Sequence, residues 1–192
     1  MKTLGLTGGV GMGKSTAETI LRDWGIPTID TDVLARALVE PGQPALSEIQ
    51  ARFGNSVLDE SGHLKRGRLA EIVFQNEAAR KQLESILHPR IHALWTAQIL
   101  KLREQHSRAV VVVIPLLFET ASEFEFDATI CVACSLESQR ARLKKRNWTD
   151  TQIDQRIAAQ WPVAEKMFRA DYVIWTEGSL EVTAEQLRRI AG

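Results

Sequence analysis

The sequence predicts an α/β protein built on a doubly wound, parallel sheet of five strands. Three observations predict this class: apolar segments that do not alternate with polar residues, helical patterns between them, and a glycine-rich loop after the first segment. Continuous apolar runs are typical of strands covered on both faces, and strands that alternate with helices form parallel sheets. The predicted strands are residues 3–7, 26–29, 109–116, 128–133 and 172–175.

Four helical patterns accompany these strands, and each has a recognisable start or stop signal. The first follows the glycine-rich loop and ends at Gly25, a residue type common just after a helix. Ser135 is a good N-cap for the second, and Thr149 with Gln152 forms a capping-box pattern for the third. The fourth begins after Ser179. The predicted ranges are 14–24, 136–146, 149–160 and 180–190.

Residues 40–105 differ from the rest because they contain helical patterns and no strand of comparable strength. The breaker sequence PGQP opens the segment at residues 41–44. We interpret the segment as a helical insertion between the second and third strands. A helix boundary is expected at His88, with Pro89 in the first turn of the next helix. The predicted helices are 45–53, 66–74, 77–87 and 89–105.

The composition is that of an ordinary globular chain. Of 192 residues 44% are hydrophobic, enough for a sizeable core, and 24 Lys and Arg balance 24 Asp and Glu. Zero net charge gives no support to a protein that binds nucleic acid or a membrane surface, since such proteins usually carry a basic excess. The longest apolar run, residues 109–118, is too short to span a membrane, and no signal-peptide pattern is visible. We therefore expect a cytoplasmic protein.

Cys131 and Cys134 form a C-x-x-C pattern within and just after a predicted strand. The same spacing is found in redox and zinc sites. Positions i and i+3 of a strand point to opposite faces, however, so the two thiols would not meet. Free, buried thiols are the favoured interpretation.

Residues 8–15 match the phosphate-loop pattern G-x-x-x-x-G-K-[ST] at every fixed position, between an apolar strand and a helix. Glycines let backbone N–H groups turn toward phosphate, and the following helix directs its positive end at the same anion. Lys14 would reach the β- and γ-phosphates of a nucleoside triphosphate, and Ser15 would bind Mg²⁺. The predicted nucleotide-binding residues are Gly9, Gly11, Met12, Gly13, Lys14, Ser15 and Thr16.

An acidic pair, Asp30 and Asp32, follows the second predicted strand. It would lie at the carboxyl edge of the sheet, where open α/β folds bind ligands. An acid at this edge can orient a hydroxyl nucleophile and help to hold Mg²⁺. Capping of the next helix by Asp30 or Thr31 explains the pair equally well. Both interpretations hold together if Asp30 or Thr31 is the cap and Asp32 lies in the site.

The chain resembles the dephospho-CoA kinase family along nearly its whole length. The matching strings are GLTGGVGMGKST, IDTDVLAR, EPGQPAL, LHPRI, IPLLFE, ESQRARLKKR, AAQ at 158–160 and ADYVI at 170–174. The resemblance implies a P-loop kinase that phosphorylates the ribose 3′-hydroxyl of dephospho-CoA with ATP and Mg²⁺, the last step of coenzyme A synthesis. It implies a nucleotide-binding core (1–39, 106–135 and 169–192), a helical CoA-substrate domain (40–105) and a lid (136–168).

The resemblance also implies roles for individual residues. Asp32 is expected to take the proton of the substrate hydroxyl, while Lys14 and Arg140 stabilise the transferred phosphoryl group. Arg146 is the second arginine candidate in the lid, and a solvated basic helix face is the alternative for this charged run. The expected substrate-binding residues are Asp32, His88, Leu116, Phe118, Glu119 and Arg140. Lys166 and Arg169 are weaker candidates for phosphate contacts.

Two stretches depart from the family pattern. Val113 stands where many members carry an acid, which puts more weight on Ser15 and the acidic pair for Mg²⁺. The sequence WTEG at 175–178 replaces the usual Asp-Asn or Asn-Asn stretch, so the adenine-side loop is less well defined than the phosphate loop.

Two rival functions are considered beside the kinase suggested by the resemblance. Another small nucleoside or nucleotide kinase would share the loop, the acid and the basic lid, but residues 40–105 give room for a larger acceptor. A nucleotide-dependent switch protein is disfavoured because the sequence contains no Asn-Lys-x-Asp motif for guanine. A monomer and a small homo-oligomer are both compatible with the sequence.

Overall fold

A computed structural model of the chain describes residues 1–191, and its five strands form one sheet in the order β2-β3-β1-β4-β5. The strands are β1 (Lys2–Gly8), β2 (Thr28–Asp30), β3 (Ala109–Val113), β4 (Ala128–Ala133) and β5 (Tyr172–Trp175). β1 pairs in parallel with β3 and β4, so that Leu4 lies opposite Val111 and Ala128. The predicted α/β fold class is confirmed.

The described residues contain nine α-helices. They are α1 (Lys14–Asp23), α2 (Thr31–Leu38), α3 (Pro44–Phe53), α4 (Arg66–Gln75), α5 (Glu77–Glu104), α6 (Leu136–Lys144), α7 (Asp150–Ala158), α8 (Val163–Arg169) and α9 (Leu180–Ala191). The predicted caps are confirmed: Ser135 accepts the Ser138 N–H, Thr149 and Gln152 form a capping box, and Gly25 follows α1 with φ 75°.

The chain forms two compact units. The first contains residues 1–29 and the chain from Lys101 onward, and its core is built from sheet residues such as Leu6 and Ile130 together with Leu21 of α1. The second contains Asp30–Leu100, and its helices enclose a separate core around Ile49 and Val57. Apolar faces of short helices are stabilised mainly by such packing, since isolated helices of this length are marginal in water.

The predicted helix boundary at His88 is wrong, because α5 continues through Pro89. Proline removes one backbone donor and crowds the carbonyl of residue i−4, which normally ends or kinks a helix. Here the buried side chains of Ile86 and Trp95 lie on either side of the proline in sequence. The Arg90 guanidinium also donates to the Ile86 carbonyl at 2.6 Å, one turn back along the helix. Packing therefore outweighs the local proline signal.

Three predicted strands differ in detail from those observed. β2 covers Thr28–Asp30 rather than residues 26–29. β3 ends at Val113 rather than at residue 116, because Pro115 has no N–H to continue the ladder and its carbonyl accepts side-chain donors instead. β5 is not covered on both faces as expected: it is an edge strand, and Val173 and Trp175 remain exposed.

The two cysteines are free and buried, as predicted. Burial raises the pKa of the Cys131 thiol to about 11 and also raises that of Cys134, so both thiols stay protonated near neutral pH. Within residues 1–191, no group of three or more His, Cys, Asp and Glu side chains forms a candidate metal cluster. The same part of the chain contains no helix both long and apolar enough to cross a bilayer.

Candidate functional site

The phosphate loop (residues 8–15) joins the end of β1 to the start of α1. Gly13 is the residue before α1 and has φ 100°, and Gly11 has φ 76°, both in the region that side chains disfavour. A Cβ atom on Gly8 would lie 2.3 Å from the Val132 carbonyl oxygen of the neighbouring strand. The first N–H groups of α1 have no partner within the helix, so the loop presents donors and a positive helix end to an anion.

The Lys14 side chain lies across the carbonyl groups of this loop. Its Nζ donates to the carbonyl oxygens of Gly8 at 2.6 Å and Gly9 at 3.1 Å. The exposed Ser15 follows on the first turn of α1, and the half-buried Thr16 comes next. The predicted nucleotide-binding residues therefore lie together at one end of α1, with the Lys14 ammonium group and the exposed Ser15 beside the turn.

Thr176, the residue after β5, supports the phosphate loop, a role that sequence reasoning missed. Its buried hydroxyl lies 2.9 Å from the Met12 carbonyl and 3.2 Å from the Ala133 carbonyl. Arg142 donates to the Thr176 hydroxyl at 2.9 Å and to its carbonyl at 2.5 Å. Arg142, one residue of the basic run on α6, therefore supports the loop through Thr176 and is not simply a solvated charge. A lone threonine carries no sequence signal for such a contact.

Glu177 holds the end of β5 against the start of α6. Its Oε1 accepts the Ser135 N–H at 2.8 Å and also the Ser135 hydroxyl, while Oε2 accepts the Trp175 indole N–H at 3.2 Å. The hydrogen bonds from Ser135 and Ser138 lower the pKa of Glu177 to about 2. The stretch that departs from the family pattern is therefore anchored by a carboxylate that stays ionised throughout the physiological range.

Arg140 projects from α6 toward α7 and is held there by two acids. Its guanidinium donates to Asp154 at 2.5 Å and to Asp150 at 3.0 Å. Lys144 also contacts Asp150, at 3.2 Å, and hydrogen bonds from Lys144 and Arg140 lower the pKa of Asp150. Because these carboxylates are exposed, the pairs are weak, and an anionic ligand can compete for the guanidinium.

The other predicted site residues have different degrees of burial. Arg146 and His88 are exposed, and Leu116 is half-buried. Phe118 is 2% exposed and so contributes to the core. Arg169 stacks on Trp161 with its Cζ 4.8 Å from the ring centroid and pairs with Glu165 at 3.0 Å.

Glu119 takes part in a buried ion pair. Lys166 on α8 is completely buried, and its Nζ contacts Glu119 Oε1 at 2.7 Å and the Pro115 carbonyl at 2.8 Å. The same Glu119 oxygen accepts the Trp161 N–H at 2.9 Å, and the Thr7 hydroxyl donates to Pro115 at 3.2 Å. This arrangement ties the end of β1, the loop after β3 and the start of α8 together.

Replacing Lys166 is expected to destabilise the protein strongly. Lys166→Met leaves Glu119 buried without its counter-charge, a change that typically costs about 3–5 kcal/mol of unfolding free energy. The free energy of unfolding is measured by denaturant titration of the nucleotide-free protein. The control is Lys144→Met, which removes the same charge from an exposed pair in the same unit and should cost about 0.5 kcal/mol or less. Equal losses in the two variants would contradict a structural role for the buried pair.

Asp32 belongs to the helical unit. Asp30 is the N-cap of α2 and accepts the Asp32 N–H at 2.8 Å, which confirms the capping interpretation for Asp30. The exposed Asp32 lines a cavity of about 300 Å³ within this unit. The lining combines arginines with apolar side chains and consists of Asp32, Ala35, Arg36, Val39, Ile49, Leu64, Arg66, Leu69 and Leu87.

Comparison with known proteins places these features in a family. A family model described as dephospho-CoA kinase matches residues 2–181, which is nearly the whole chain. The chain belongs to the dephospho-CoA kinase family. The match includes the phosphate loop, Asp32 and the arginine-bearing α6, so the family resemblance stated from the sequence is confirmed.

Individual relatives agree with this assignment. A dephospho-CoA kinase of Geobacillus kaustophilus is 43% identical over 189 residues, which cover 98% of this chain and 94% of the relative. A crystal structure of a Thermus thermophilus protein is 33% identical, with a TM-score of 0.85 and coverage of 98% of this chain and 95% of that one. The dephospho-CoA kinase from Campylobacter jejuni is 25% identical, with a TM-score of 0.71 and coverage of 98% and 94%.

Proposed function

We propose that this chain transfers the γ-phosphoryl group of ATP to the ribose 3′-hydroxyl of dephospho-CoA and releases coenzyme A and ADP. The proposal depends on the phosphate loop, in which glycines form the turn and Lys14 donates to the Gly8 and Gly9 carbonyls. The family model matches the chain around it over residues 2–181. The reaction forms a bond between the hydroxyl oxygen and the γ-phosphorus. It breaks the bond from that phosphorus to the bridging oxygen of ADP.

The residues of the loop fit a magnesium nucleotide. N–H groups at the start of α1 and the Lys14 ammonium suit phosphate oxygens, and the Ser15 hydroxyl is a hard oxygen ligand of the kind Mg²⁺ prefers. Asp32 is a second oxygen donor proposed for the ion. Bound Mg²⁺ would neutralise charge on the β- and γ-phosphates. We propose Gly9, Gly11, Met12, Gly13, Lys14, Ser15 and Thr16 as the nucleotide-binding residues.

The chain's own side chains supply the remaining chemistry. Asp32 orients the acceptor hydroxyl and accepts its proton as the new P–O bond forms. Lys14 and Arg140 stabilise negative charge on the transferred group, for which Arg140 exchanges its exposed acids for phosphate oxygens. Arg146 is the second candidate for this role.

We propose that the helical part of the chain contributes much of the acceptor site. We propose residues 40–105 as the CoA-substrate domain, residues 136–168 as the lid, and residues 1–39, 106–135 and 169–192 as the nucleotide-binding core. The cavity beside Asp32 supports binding of the acceptor by these helices, because Arg36 and Arg66 in its lining suit the pyrophosphate of dephospho-CoA. Asp32, His88, Leu116, Phe118, Glu119 and Arg140 remain the proposed substrate-binding residues.

The proposal is tested by comparing acceptors. ADP formation is measured side by side with dephospho-CoA, adenosine and AMP at equal concentrations. We expect rapid ADP formation only with dephospho-CoA, because the smaller acceptors leave the arginine-lined cavity without a ligand. Faster turnover of adenosine or AMP would support the rival small-acceptor kinase, and equal, slow ADP release with all three would support a switch protein. We further propose that the enzyme acts in the cytoplasm as a monomer or small homo-oligomer.

A further inference from the structure

Two glutamine side chains, one buried and one half-buried, form hydrogen bonds with the backbone of Val10 in the phosphate loop. Val10 donates its N–H to Gln160 Oε1 at 2.9 Å, and its carbonyl accepts the Gln139 Nε2 at 2.8 Å. A backbone N–H can only donate and a carbonyl can only accept, so these partners fix the orientation of both side-chain amides. Both backbone groups of Val10 are therefore held by side chains remote in sequence.

The two glutamines come from different parts of one helical segment. Gln139 lies on α6 and is 3% exposed, and Gln160 follows the end of α7 and is half-buried. Gln139 also packs closely on the loop: a Cβ atom added to Gly9 would lie 3.3 Å from its Nε2. A buried glutamine is costly unless its amide is satisfied, and here a phosphate-loop carbonyl provides a partner.

This arrangement constrains a loop that would otherwise be flexible. Glycine-rich segments lose more conformational entropy on ordering than other sequences do. If neighbouring residues already fix the shape of the loop, ligand binding does not have to supply that entropy. The Thr176 hydroxyl lies 2.9 Å from the Met12 carbonyl, two residues beyond Val10. Val10 and Met12 are thus held on both sides of Gly11, whose φ is 76°.

We propose that Gln139 and Gln160 are positioning residues that set the shape of the phosphate loop for ATP. Because one glutamine comes from α6 and the other follows α7, displacement of this helical segment breaks the bonds to Val10 and weakens nucleotide binding. The inference rests on the proposed role of the loop in binding ATP, but not on the identity of the acceptor.

Charge-matched substitutions test the direction of each hydrogen bond. Gln160→Glu keeps an acceptor for the Val10 N–H, whereas Gln139→Glu removes the donor and sets a carboxylate against the Val10 carbonyl. Both variants add one negative charge beside the same residue, so repulsion of the triphosphate affects them similarly. We expect the Kd of ATP, measured by calorimetry without acceptor, to be about tenfold higher in Gln139→Glu than in Gln160→Glu. Equal Kd values would overturn the proposal.

Neutral variants provide a second, independent comparison. Gln139→Met and Gln160→Met each lose one bond to Val10, and each should raise the Kd and the KM of ATP about tenfold while the KM of dephospho-CoA stays unchanged. The control is Gln155→Met, at an exposed position of α7, which should bind ATP like the unsubstituted protein. If the variants of the buried Gln139 fail to fold, the Kd of ATP for Gln160→Met is compared with that for Gln155→Met, and equal values overturn the proposal.

Two results separate this inference from simpler explanations. A purely structural role would lower the unfolding temperature of the nucleotide-free variants and leave the Kd of ATP at 25 °C unchanged, which would overturn the proposal. Because Kd is measured without acceptor, failure of the protein to phosphorylate dephospho-CoA would refute the proposed function and leave this test intact.

Discussion

Asp32→Asn is expected to lower kcat by about 10²–10⁴-fold while the Kd of ATP, measured without Mg²⁺, stays unchanged. The substitution keeps the size and shape of the side chain but removes the carboxylate that accepts the proton of the acceptor hydroxyl. The phosphate loop and Lys14 belong to the other unit and are untouched. Steady-state kinetics with dephospho-CoA gives kcat, and calorimetry gives the Kd of ATP.

Asp30→Asn is the matched control for this prediction. It removes the same charge two residues away, and an asparagine still accepts the Asp32 N–H as the N-cap of α2. We expect kcat to fall less than tenfold. Turnover of Asp32→Asn close to that of the unsubstituted protein would refute the assignment of Asp32 as the proton acceptor.

Arg140→Met is expected to lower kcat by about 10³-fold, with a smaller effect on the Kd of ATP. An arginine that neutralises charge as the phosphoryl group is transferred contributes about 10³–10⁵ to the rate in well-studied enzymes. Arg140→Lys should recover only part of the loss, because a lysine lacks the planar fork that binds two oxygens at once. Single-turnover measurement of ADP formation isolates the chemical step.

Two other arginines of the same segment test whether the effect is specific. Arg156 lies over the Trp148 ring, with its Cζ 4.2 Å from the centroid, and Arg156→Met should leave kcat within about threefold. Arg146→Met removes the second candidate. A 10³-fold loss in Arg146→Met together with near-normal turnover in Arg140→Met would transfer the role to Arg146.

Local chemistry made much of the fold predictable. The phosphate loop depends on a contiguous pattern, and the caps at Ser135 and Thr149 depend on residues three apart, so the sequence contains each signal in full. A cap at Asp30 or Thr31 was predictable for the same reason, and the structure assigns it to Asp30. The course of α5 was not predictable, because the packing of Ile86 and Trp95 outweighs the local signal of Pro89.

Contacts between distant residues account for what the sequence did not predict in the site. Gln139 and Gln160 lie 129 and 150 residues from Val10 in the chain, and a glutamine in a helical pattern gives no sign of such a partner. Lys166 was expected near phosphate, yet its charge is buried against Glu119. The string AAQ at 158–160 belonged to the family resemblance, but nothing local indicated that Gln160 contacts the phosphate loop.

The most direct test of the proposed activity is the position of the phosphate in the product. The protein is incubated with dephospho-CoA, Mg²⁺ and ATP labelled in the γ-phosphate, and the product is examined by phosphorus NMR and mass spectrometry. We expect the label in a phosphomonoester on the ribose 3′-oxygen, with one ADP formed for each. Label recovered only as inorganic phosphate, or at another oxygen of the acceptor, would contradict the proposed function.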